Sequence, residues 1–130
     1  NSPFSVFNMH DDKTKFLIEM TKLVQSSKII IDRPKDSAHP RYPSYMYPLD
    51  YGYIEGTKSQ DGDGIDVWCG SGDRKSISGI LVIFDPIKKD SEIKVLLGCS
   101  EIESREALKC SQRGDMKAFM IKFDDKEKTG

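Results

Sequence analysis

The chain is short of cysteine, of long apolar runs and of any surplus of one charge. Its three cysteines, Cys69, Cys99 and Cys110, lie far apart with no CxxC pair. An odd, scattered set argues against a disulfide framework and a thiolate zinc site, and suits a reducing cytoplasm. No apolar run approaches the roughly 20 residues that cross a bilayer, so a membrane helix is not expected. The first residues also lack the basic-then-apolar pattern of a secretory signal. Lys and Arg number 20 against 21 Asp and Glu, a formal net charge of -1. General polyanion binders carry a basic excess, so neither bulk nucleic acid nor an anionic membrane is an expected partner. What is present is enough for folding: 37% hydrophobic and 32% charged residues mark a polar but globular chain. At 130 residues, two separate cores would each be too small. One domain over residues 9–123 is expected, with loose tails at 1–8 and 124–130.

Hydrophobic spacing then places the elements. Asp11 and Asp12 can cap a helix whose apolar positions are Phe16, Leu17, Met20, Leu23 and Val24, ending near Ser26. Lys28 to Asp32 is a short β-branched run stopped by Pro34. From Pro34 to Pro48 four prolines and four Tyr or His rings predict an extended, ordered loop. Strands are expected at Tyr51–Ile54, Ile65–Cys69, Ile77–Phe84, Ile93–Leu97 and Ala118–Phe123. Ser100-Glu101-Ile102-Glu103 is a capping-box pattern opening a helix to about Cys110. The expected fold class is mainly β with flanking helices (α+β): a small five- to six-stranded barrel with a helix near each end. Periodicity alone leaves an open sheet with helices on one face as the alternative.

The most informative stretch is Asp61-Gly62-Asp63-Gly64-Ile65-Asp66-Val67-Trp68. Glycines let the backbone turn sharply, so carboxylates of mismatched parity can converge on one point. Gathered carboxylates repel and are driven to protonate unless a cation stands among them. All-oxygen ligands suit Mg²⁺, Mn²⁺ or Ca²⁺ rather than zinc. Asp-Gly pairs are also ordinary surface turns. An EF-hand is excluded, because Asp66 occupies the position that needs glycine and Gly72 the one that needs glutamate. Asp85 closes one apolar strand, and Asp90 and Glu92 precede the next. A hairpin between those strands would bring Asp85 and Asp90 to one mouth of the sheet.

Together these residues match a known pattern. Tyr47-Pro48-Leu49-Asp50-Tyr51-Gly52-Tyr53-Ile54, followed by the Asp61–Val67 segment, resembles the family I soluble inorganic pyrophosphatases over about Lys28 to Leu97. The resemblance implies an OB-like barrel and Mg²⁺-dependent hydrolysis of pyrophosphate, with Mn²⁺ as a substitute. By the same resemblance Asp61, Asp66, Asp85 and Asp90 fall on metal-ligand positions, and Asp32 on an active-site acid counted with them. Asp63 falls on the carboxylate that helps activate the attacking water, Tyr51 on a tyrosine that contacts a phosphate oxygen, and Arg41 on a substrate lysine.

The departures are specific. The family places a lysine two residues after the position of Asp90; here Glu92 stands there and Lys94 follows. A shift of two keeps the strand face, so Lys94 can still point inward. Equally, a two-residue insertion would make Glu92 a metal ligand and Lys94 the true lysine. An arginine before the tyrosine segment and a Tyr-Lys pair after the last helix are missing, with Arg113 the positional stand-in for that lysine. Lys94, Arg41 and Arg113 are therefore the expected cationic groups on the phosphates. Arg33, Lys35 and His39 are expected on a solvated loop, Trp68, Cys69 and Cys99 in the core, and Tyr42, Tyr45 and Tyr47 packed under the proline-rich loop. Two other readings stand beside the pyrophosphatase: a phosphohydrolase of another small phosphoanhydride, and a catalytically weakened OB-like module that binds a ligand or nucleic acid. A homo-oligomer in the cytoplasm is expected.

Overall fold

The computed structural model describes residues 3–60 and 62–123. The first helix, α1 (Pro3–Ser26), begins within the stretch expected to be loose. Six strands follow: β1 (Ile29–Arg33), β2 (Asp50–Ile54), β3 (Ile65–Cys69), β4 (Ile77–Asp85), β5 (Asp90–Leu97) and β6 (Lys117–Lys122), with α2 (Glu101–Cys110) between the last two. The expected tail at 124–130 lies outside the described residues.

The strands form one sheet in the order β1-β2-β3-β5-β4-β6. Neighbours pair antiparallel except β3 and β5, which run parallel with Val67 opposite Val95. This is a small α+β, OB-like arrangement that stays open. β6 takes the outer side of β4, so the sheet keeps two edges, β1 and β6, and does not close into a full barrel.

Strand alternation divides the apolar residues between two faces. Val67, Cys69, Ile80, Val95 and Leu97 pack with Leu17 and Val24 of α1. Trp68, Leu81, Ile83 and Leu96 pack on the other face with Leu49, Tyr47 and Ala107 of α2. The two helices thus cover opposite faces, unlike the one-sided alternative. Lys75 donates to the Val24 and Ser27 carbonyls (3.0 and 2.7 Å), satisfying free acceptors at the end of α1.

Two features position the candidate site. The β4–β5 hairpin is tight, with Asp85 opposite Asp90, because β5 begins three residues before the expected start. The Asp85 carboxylate accepts from the backbone N–H of Ile87 (2.9 Å) and Lys88 (3.2 Å), fixing the turn. The proline-rich loop at 34–48 is ordered by its own backbone bonds, Asp36 to Tyr47, Tyr47 to Ser37 and His39 to Tyr45, at 2.8–2.9 Å. Asp50 anchors the start of that loop, accepting from the Lys35 N–H (2.7 Å) and pairing with Arg74 (2.9 Å).

Candidate active site

Tyr51, Asp66, Glu92 and Lys94 meet on the face that also carries Trp68. Register explains the meeting: Tyr51 lies opposite Trp68, Tyr53 opposite Asp66, and the parallel β3–β5 pairing brings Lys94 alongside. The Lys94 ammonium contacts Glu92 (2.7 Å), Asp66 (3.3 Å) and the Tyr51 hydroxyl. It also lies over the Tyr51 ring, 4.7 Å from its centre. Only 15% of the Lys94 side chain is exposed. Burial alone would pull its pKa down, but Tyr51, Asp66 and Glu92 outweigh that and hold it above the ordinary lysine range. Burial likewise pushes the Tyr51 phenol well up, with Lys94 opposing. At neutral pH the pair is therefore a cation and a neutral hydroxyl, both able to donate.

Tyr51, Glu92 and Lys94 form one wall of a cleft of about 650 Å³, and Asp66 stands behind Lys94, outside its lining. Its other walls are the 34–48 loop and the segment joining α2 to β6. Arg41 and Arg113 both line it, from opposite sides in sequence, as do Asp85 and Lys88. The Arg113 guanidinium lies 4.3 Å from the centre of the Tyr45 ring and donates to the Met46 carbonyl (3.3 Å). A smaller hollow of about 340 Å³ adjoins Asp66, Glu92 and the 58–60 loop, so Glu92 borders both spaces.

The remaining sequence candidates divide. Asp61 lies outside the described residues. Asp63 is exposed in the loop before β3, where its carbonyl accepts from the Ser59 N–H (2.6 Å) and Gly62 takes a φ of 90°. Asp90 is exposed at the hairpin end, and Asp32 is exposed at a bulge in β1; neither lines the cleft. The bulge places Arg33 opposite Tyr51, and its side chain is half-buried against the Tyr47 ring and hydroxyl (3.4 Å) rather than solvated. His39 is also drawn in. It lines the cleft, stacks on Tyr47 at 6.0 Å and 4°, and its Nδ1 accepts from the N–H of Arg41 (3.1 Å) and Tyr42 (3.2 Å). Partial burial, then Arg33, Arg113 and Arg41, lower its pKa and favour this neutral form. Of the loop tyrosines only Tyr47 is core; Tyr42 and Tyr45 are 52% and 38% exposed. The signal for these residues was the density of rings in a loop held extended by prolines.

Cys69 and Cys99 take the expected inert roles. Burial pushes the Cys69 thiol up to about 11 and the Cys99 thiol up to about 12, so neither is a thiolate at neutral pH.

The donor chemistry suits a hard divalent ion, since Asp85 and Glu92 at the cleft, and Asp66 with Glu92 at the smaller hollow, offer only oxygen. Among the described residues, no three carboxylate, histidine or cysteine groups are gathered as a ligand set. Lys94 already compensates Asp66 and Glu92, and Asp61 is not described.

With the geometry established, comparison with known proteins is decisive. The family model described as Inorganic Pyrophosphatase matches residues 19–127. This chain belongs to that family. The match reaches well beyond the Lys28–Leu97 stretch that carries the visible motifs. No curated protein matches the chain by sequence. Among solved structures, the inorganic pyrophosphatase of Helicobacter pylori superposes with a TM-score of 0.51 at 16% identity, covering 76% of this chain and 84% of that one. An inorganic pyrophosphatase from Coxiella burnetii gives 0.48 at 17%, covering 78% of this chain and 86% of that one. An inorganic phosphatase from Anaplasma phagocytophilum gives 0.46 at 18%, covering 72% of this chain and 81% of that one. At these identities the likeness speaks to fold, and only the first score carries weight.

Proposed function

We propose that the chain hydrolyses inorganic pyrophosphate to two phosphates with the help of a divalent ion, Mg²⁺ by preference and Mn²⁺ as a substitute. The observation that carries this reading is the wall of Tyr51, Lys94 and Glu92, with Asp66 paired to Lys94 behind it, in a cleft lined by Arg41 and Arg113, in a chain of this family.

Asp61, Asp66 and Glu92 would hold the ion, with Asp85, Asp90 and Asp32 as further carboxylates. When bound, it neutralises phosphate charge and makes water more acidic. The residues of the chain supply the rest. Lys94 and the Tyr51 hydroxyl donate to phosphate oxygens, and burial makes those bonds stronger than they would be in water. Arg41 and Arg113 offer planar forks that grip two oxygens each, taking over from lysines of the family. Asp63 accepts the proton of the attacking water. Water oxygen bonds to one phosphorus, the bridging bond breaks, and its electron pair leaves with the second phosphate.

Phosphate release from pyrophosphate, measured with and without Mg²⁺, tests the reading. Metal-dependent release that Asp63→Asn and Asp66→Asn each reduce by about 10²-fold or more is expected. Unchanged release in Asp63→Asn would remove its proton-accepting role.

We further propose a cytoplasmic location, consistent with three free cysteines and with no described helix long and apolar enough to cross a membrane. Self-association is proposed as well. Phe84, Ile93, Phe119 and Ile121 are 38–58% exposed on one sheet face beside the β6 edge, and a net charge of -1 puts little repulsion between copies.

A further inference from the structure

The cleft has more room and more aromatic surface than pyrophosphate can use. Pyrophosphate is all charge and has no face on which a ring could stack. A volume of 650 Å³ lies within the roughly 300–1,000 Å³ of sites that take organic ligands. From Tyr51, rings run outward through Tyr47, His39, Tyr42 and Tyr45, with centres 5.3–6.0 Å apart at each step. The inner part of this run is structural, since Tyr47 is buried against Trp68. The outer part is not: Tyr42 and Tyr45 keep large exposed surfaces although the loop backbone is already ordered by its own bonds. Arg41 and Arg113 stand among these outer rings, so the same end of the cleft can hold a flat group and an anion.

We propose that the cleft binds a nucleoside diphosphate, its phosphates at the Lys94–Tyr51 end and its base against Tyr42 and His39, and hydrolyses it to the monophosphate. The inference rests on the phosphoanhydride chemistry proposed above and specifies its substrate class. Water oxygen bonds to the terminal phosphorus as the bridging P–O bond breaks. The bond's electron pair leaves with the nucleoside monophosphate, and the water's proton is released to solvent. No oxidant, reductant or second substrate is required. Base stacking on aromatic side chains tolerates any base, so ADP and GDP are equivalent ligands for this site.

Calorimetric binding of ADP, with methyl diphosphate as the ligand that keeps the anhydride and lacks the base, separates the subsite from the chemistry. ADP is expected to bind about tenfold more tightly. Tyr42→Ala should abolish that preference, and Tyr42→Phe, which restores the ring, should retain it. Equal binding of the two ligands, or a preference untouched in Tyr42→Ala, overturns the proposal. Phosphate release from ADP and from pyrophosphate, assayed beside the binding, keeps the two readings apart. Pyrophosphate hydrolysis without a base preference sinks the nucleotide inference alone. ADP hydrolysis with the preference, in a protein inert towards pyrophosphate, sinks the inorganic substrate and upholds the nucleotide. A protein that binds and cleaves neither overturns both.

Discussion

Lys94 holds its ammonium between Glu92 and Asp66 and against the Tyr51 hydroxyl, so one side chain both balances two carboxylates and presents a cation to the cleft. Replacing it with methionine keeps the stem and removes the charge. Turnover of pyrophosphate by Lys94→Met should fall about 10²–10³-fold, the loss seen when a preorganised donor is removed. The stability cost should be about 1 kcal/mol, because Asp66 and Glu92 are each about a third exposed and solvent already screens them. Chemical denaturation beside steady-state kinetics checks both; a large loss of stability with little loss of rate would make Lys94 structural. At this scale the sequence was readable in part. Spacing puts Lys94 and Glu92 on one face, but the ion pair of Lys94 with Asp66 depends on another strand arriving beside β5. The sequence around Arg33 and His39 points to a solvated loop because nothing in their neighbours discloses a β-bulge or a ring stack.

At the scale of elements, Gly52 decides how β1 lies on β2. A Cβ there would come 1.7 Å from the Ile30 carbonyl oxygen, and its other near neighbours, Ile30 C and Ile31 Cα, are also β1 backbone, so only a shift of that strand gives relief. Gly52→Ala should therefore cost about 3 kcal/mol and shift the strand that carries Arg33 away from Tyr51. A cooperative unfolding curve displaced by less than about 1 kcal/mol would show that the strand adapts. The α2 cap makes a second prediction. Glu103 accepts from the N–H of Ser100 (2.8 Å) and of Ser71 (3.1 Å), and these bonds, the Ser100 one foremost, lower its pKa from the ordinary 4.5. A carboxylate with a lowered folded pKa binds fewer protons in the folded chain, so its stabilisation is present above 4.5 and lost as pH falls through the folded value. Glu103→Gln should melt about 4 °C lower at neutral pH, and the gap should narrow as the buffer is taken below 4.5. A gap independent of pH would mean that the charge is irrelevant. This box was legible because capping is local: Ser100 and Glu103 lie within one turn of each other.

On the scale of the whole molecule, the open sheet leaves two kinds of surface. One is the cleft; the other is the apolar face formed by Phe84, Ile93, Phe119 and Ile121, which α1 does not cover. Phe119→Lys should leave the fold intact and lower the sedimentation coefficient from that of an assembly to that of a 14.7 kDa monomer. A wild-type protein that already sediments as a monomer at high concentration would end the self-association proposal. Closure was the fold feature that strand periodicity could not settle. Six strands of these lengths can close or stay open. The deciding fact is that β6 pairs with β4 from residues about 40 positions further along the chain, which no local pattern records.

What the sequence determined by itself was whatever depends on near neighbours: the strand and helix positions, the α2 cap, the family motifs from Tyr47 to Val67, and the inert character of the cysteines. Tertiary structure alone decided which side chains meet. The parallel β3–β5 pairing joined Asp66 to Lys94, the bulge in β1 turned Arg33 onto Tyr47, and the folded proline-rich loop set its rings around a cleft. Side-chain chemistry is written one residue at a time, whereas a site is a set of distances between segments, and those distances exist only once the sheet has formed.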